Sequence, residues 1–133
     1  MMVDKSDVDT ITRIIETRGG FGHREHLELA WNYLGAGEPE DAYRQVREAI
    51  QHVAVLHDAP DRFHETITRV WVRLVDVHLA GSEARSFDEF IADNSGLLDG
   101  SLLSRHYSRE LIGSPDARAH WLEPDLRPLP VTT

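Results

Sequence analysis

Apolar residues recur along most of the chain at the spacing of one helical face. Val8, Ile11, Ile14 and Ile15 predict an amphipathic helix from Ser6 to Arg18, which Gly19 and Gly20 stop. Leu27, Ala30, Trp31 and Leu34 form the stripe of a second helix, over 22–34, and Gly35 to Pro39 make the turn that follows. Pro39 suits the first turn of a third helix, which runs to His57 and buries Ala42, Val46, Ala49, Ile50 and Val53. Asp58 to Asp61 break the chain again. A fourth helix over 62–80 has apolar residues almost all round (Ile67, Val70, Trp71, Leu74, Val75, Val77), the mark of a central helix covered on several sides.

Beyond Gly81 the elements shorten. Ser86 with Glu89 three residues later makes a capping box for a helix carrying Phe87, Phe90 and Ile91, ended by Asn94-Ser95-Gly96. Leu102, Leu103, His106, Tyr107 and Leu111 predict one helix over 101–112. Ser114-Pro115-Asp116 starts a last turn or two through Trp121. The segment 123–130 holds Pro124, Pro128 and Pro130 and cannot be helical, so it reads as an extended strap laid on the body. No segment alternates as a strand does. The expectation is an all-α single compact domain spanning 1–133, with five to seven helices, an ordered body over 6–122 and an extended Pro-rich C-terminal tail.

Composition narrows the function classes. The chain has 133 residues and 41% hydrophobic content, enough for one core. Its formal net charge of −9 argues against nucleic acid, which requires a basic face. No apolar run is long enough to span a membrane, and acidic residues rather than an apolar segment follow the start, so a cytoplasmic protein is expected. With no cysteine, thiolate metal sites, disulfides and Cys nucleophiles drop out. No Gly-x-Ser-x-Gly elbow supports a Ser nucleophile. What stands out is eight histidines, the commonest metal ligand and the usual acid/base near neutral pH.

His23 and His26 lie three residues apart and so point the same way from one helical turn. His64 heads the long fourth helix with Glu65 beside it. Together these suggest a mononuclear site of His23, His26 and His64 holding one divalent transition metal (zinc, iron, copper or nickel). A metal-free version makes His64 and Glu65 an acid/base pair acting on a small-molecule substrate. The spacing fits neither the His-Glu-x-x-His metalloprotease helix nor the paired Glu-x-x-His of di-iron bundles. His57 and His106 read as structural; His52, His78 and His120 as incidental. The competing reading is a non-catalytic helical interaction or oligomerisation module with core histidines, binding a protein partner or its own copies. One helix pair around Tyr33, Gly37, Ala42, Val46 and Ala49 has tetratricopeptide-like spacing that does not recur.

The blocks Phe-x-His-x-x-His-Leu-x-x-Ala-Trp (Phe21 to Trp31), His-Glu-Thr-x-Thr (His64 to Thr68), Tyr-Ser-x-Glu-Leu (Tyr107 to Leu111) and Pro-Asp-Leu-x-Pro-Leu-Pro (Pro124 to Pro130) carry a resemblance. With them the chain resembles a group of small bacterial all-helical proteins with no established activity. The resemblance implies that the blocks picked out for chemistry are those that define the group, and supplies no mechanism.

Overall fold

The computed structural model describes residues 23–56 and 63–131. It divides into two compact units, Met1–Phe63 and His64–Thr133. The described residues form helices and no strands, and the fold is all-α. The helix expected over 6–18 and His57 lie outside the described residues.

The first unit contains an αα-hairpin. Helix α1 spans His23–Ala36 and buries Leu27, Leu29, Ala30, Tyr33 and Leu34. Helix α2 spans Pro39–Leu56 and buries Ala42, Val46, Ala49 and Val53. The two pack on each other, with fully buried alanines (Ala30, Ala42, Ala49) allowing close approach of their backbones. Pro39 opens α2 as expected: it lacks an N–H where the helix needs none, and the ladder begins with Ala42 N–H to the Glu38 carbonyl at 2.9 Å. Glu40 and Asp41 in that first turn complement the helix dipole. The buried arc of α1 is rotated from the expected stripe, since Leu29 is fully buried while Trp31 is only partly so, and Ile50 of α2 is likewise half-buried.

The second unit is organised on α3, Glu65–Leu79. Its burial is nearly continuous through Val70, Trp71, Val72, Leu74 and Val75, as expected of a helix covered on more than one side. The helix closes where Ala80 N–H bonds the Asp76 carbonyl at 3.1 Å. Gly81 then takes φ +85°, a left-handed conformation that a side chain would strain. Helix α4, Phe87–Asp93, is capped by Ser86, whose Oγ accepts from Glu89 N–H at 3.2 Å, and it buries Phe87, Phe90 and Ile91.

The region expected as one helix over 101–112 is instead broken. Two 3-10 stretches, Ser95–Leu98 and Gly100–Arg105, lead to a short α5, Arg109–Ile112. The break falls at 106–108 because Ser108 caps α5, its Oγ accepting from Leu111 N–H, while its own N–H bonds Asp125. Helix α6, Pro115–Ala119, is capped by Ser114 and packs on α3 with Ala117 fully buried. The chain then runs without helix through 120–131 as the expected strap, with Leu129 buried.

Candidate functional site

His26 sits in the first turns of α1. Its Nε2 is shielded from solvent and has no hydrogen-bond partner among the described residues. Burial, with a smaller push from the charge of His23, lowers its pKa to about 4. The imidazole is therefore neutral at physiological pH. His23, at the first position of the same helix, is half-buried.

His64 does not head a helix as a free imidazole; it is the N-cap of α3. Its backbone is extended (φ −134°, ψ 112°) and its Nδ1 accepts from Ile67 N–H at 3.1 Å. The opposite nitrogen, Nε2, donates to the Ile112 carbonyl at 2.8 Å. One neutral tautomer satisfies both bonds, with the proton on Nε2. Burial lowers its pKa and outweighs the bond to Ile112, which acts in the other direction. The ring thus ties the start of α3 to the end of α5, and no nitrogen is left over for a ligand.

Glu65, beside it, is 8% exposed. Burial raises its pKa, opposed by the nearby charges of Arg69 and His120. Thr66 is fully buried. Its Oγ1 donates to the His120 carbonyl at 2.6 Å and accepts from Leu122 N–H at 3.2 Å.

Three of the four sequence blocks meet in this second unit. Tyr107 OH donates to the Leu122 carbonyl at 2.7 Å, so Leu122 is held through its N–H by Thr66 and through its carbonyl by Tyr107. Burial pushes the Tyr107 phenol pKa up, with Glu123 adding to the effect. The Trp121 ring meets Tyr107 edge-on at 6.5 Å and 75°. The guanidinium carbons of Arg69 and Arg73 lie over the ring, 5.3 Å and 5.8 Å from its centroid, and the Trp121 Nε1 donates to Glu123 at 3.1 Å. Farther along, Ser108 N–H donates to Asp125 at 2.8 Å, and the bond to Ser108 holds the Asp125 carboxyl below its ordinary range. Leu126 N–H donates to the His106 carbonyl at 2.9 Å and His106 Nδ1 to the Arg127 carbonyl at 2.9 Å. The result is a latch that fastens residues 120–127 along α3 and the 106–108 break.

Of the residues singled out for a metal, His23 and His26 belong to the first unit and His64, with Glu65, to the second. Among the described residues, no three His, Asp or Glu side chains group closely enough to hold a metal ion. The His64 and Glu65 side chains are adjacent in sequence, yet both ring nitrogens of His64 bond backbone groups.

The sequence reading passed over a cleft in the second unit. It has a volume of about 360 Å³ and apolar walls from Leu74, Leu97, Leu102 and Pro130. His78, Asn94 and His106 supply its polar lining. His78 follows Leu74 by one helical turn, a spacing visible in the sequence; the arrival of His106 and Pro130 depends on the latch and was not. No known protein family, curated protein or solved structure matches the chain.

Proposed function

We propose that the chain is a non-catalytic helical binding module in which the sequence blocks maintain structure and in which burial lowers the pKa of His26 and of His64. The observation that carries this reading is the double commitment of His64. A metal ligand needs a free lone pair and a general base needs an open nitrogen, whereas Nδ1 of His64 caps α3 and Nε2 anchors Ile112. Thr66 and Tyr107 support it in the same way, since both side chains are engaged by the returning chain at 120–122. In the first unit, α1 and α2 form an αα-hairpin. Near its end Val55 and Leu56 are exposed by 63% and 62%.

The test compares wild type with His64→Asn and His64→Ala in thermal melts, with and without zinc, iron, copper and nickel salts. Asparagine retains a capping oxygen and alanine does not, so His64→Ala loses about 1–2 kcal/mol of cap energy and His64→Asn less. Metal leaves the melting temperature of wild type where it leaves that of His64→Asn. A metal that stabilises wild type but not His64→Asn would overturn the proposal and restore His64 as a ligand.

A further inference from the structure

The cleft at the end of α3 differs from an ordinary apolar depression in how its polar side chains are arranged. His78 Nδ1 donates to the Leu74 carbonyl at 2.7 Å, one turn back on the same helix. His106 Nδ1 donates to the Arg127 carbonyl of the strap at 2.9 Å. Asn94 Nδ2 donates to the Phe90 carbonyl at 2.9 Å. In each case a side-chain N–H is committed to the main chain, which fixes the orientation of the group. The atoms left are Nε2 of His78, Nε2 of His106 and Oδ1 of Asn94. In a neutral imidazole whose Nδ1 carries the proton, Nε2 is an acceptor, and an amide oxygen is an acceptor always.

We infer that this cleft binds a small uncharged organic molecule with an apolar body and one or two O–H or N–H donors, a phenol being the simplest representative. Leu74, Leu97, Leu102 and Pro130 receive the apolar body, and the two imidazoles and Asn94 receive the donors. A volume of about 360 Å³ falls at the lower end of small-molecule sites, suited to a one- or two-ring compound. Anionic ligands are disfavoured: none of the three oriented acceptors would stabilise a carboxylate, and the chain already carries a net charge of −9. The strap takes part directly, because Pro130 is a wall and the Arg127 carbonyl fixes one of the imidazoles. The assignment goes beyond the non-catalytic reading and does not involve His64, so each can fail without the other.

The experiment is an NMR titration of the full-length chain at pH 8 with 4-methylphenol, 4-methylanisole and 4-methylbenzoate. The first two share an apolar body and differ in the donor; the third adds a negative charge. Amide signals of Asn94, Leu97 and Leu102 shift with 4-methylphenol, and 4-methylanisole binds about five- to tenfold more weakly, the worth of one net hydrogen bond. 4-Methylbenzoate binds more weakly still. In His78→Leu, an exposed helical position whose change leaves the strap contacts in place, one of the three acceptors is removed and the advantage of 4-methylphenol over 4-methylanisole narrows. Equal affinity for 4-methylphenol and 4-methylanisole in wild type overturns the inference. So do shifts confined to other parts of the second unit, or no shifts up to low-millimolar ligand with the spectrum of a folded protein.

Discussion

Replacing His26 by leucine removes a specific acid sensitivity from the first unit. In the folded chain the His26 pKa lies at about 4, against 6.5 for an unhindered imidazole. Between those values the unfolded chain takes up a proton that the folded chain refuses, so acid favours unfolding and stability rises with pH. The contribution is present above pH 6.5 and is lost as the pH falls towards 4. Relative to pH 7, linkage gives a loss of about 2 kcal/mol at pH 5 from this residue alone. His64, whose pKa is also lowered by burial, adds a loss of the same sign, so wild type alone does not isolate the effect. The assay is therefore urea unfolding, followed by circular dichroism, of wild type and His26→Leu at pH 7 and pH 5. At pH 7 the variant matches or exceeds wild type, because leucine replaces a shielded nitrogen that has no hydrogen-bond partner among the described residues. At pH 5 wild type has lost about 2 kcal/mol more than the variant. Parallel losses in the two proteins would refute the reasoning, showing that His26 takes up its proton as readily folded as unfolded.

The latch gives two further expectations. Thr66→Val keeps the side-chain shape but removes the partner of both the His120 carbonyl and Leu122 N–H, costing about 1–3 kcal/mol in a thermal melt. Tyr107→Phe costs about 1 kcal/mol. Because both act on Leu122, the double variant loses less than the sum of the two; strict additivity would show that the bonds act independently. Leu129→Ala, at a site 7% exposed, lowers stability by about 2–4 kcal/mol, and a change below 0.5 kcal/mol would mean that the strap does not bury this side chain in solution.

The helices legible in the sequence were those fixed by local chemistry. Pro39 marks the start of α2, Ser86 and Ser114 cap where their spacing placed them, and the nearly all-round apolar pattern of α3 announced a covered helix. The helix expected over 101–112 failed because what breaks it lies elsewhere in the chain: Ser108 N–H is claimed by Asp125 and the Tyr107 hydroxyl by Leu122. Periodicity within a dozen residues carries no information about such partners. The sequence marks His64 as an imidazole at the head of a buried helix, but it does not show the two backbone groups that its ring nitrogens bond. Histidine is not among the usual capping residues, and only the arrival of the Ile112 carbonyl engages its second nitrogen. The cleft was illegible for the same reason, since His106 and Pro130 join His78 only after the strap has closed.

The latch also dictates an order of events. His64 meets Ile112 across 48 residues, and Thr66 meets His120 and Leu122 across 54 and 56. The α1–α2 hairpin, by contrast, joins helices separated by a two-residue turn. Contacts of long sequence separation form slowly because a large loop must close before they reward it. During synthesis the hairpin can therefore assemble as soon as residue 56 has left the ribosome. The bonds of Thr66 to His120 and Leu122 can form only once residue 122 has emerged, so the first turn of α3 gains its latch later than the hairpin gains its contacts.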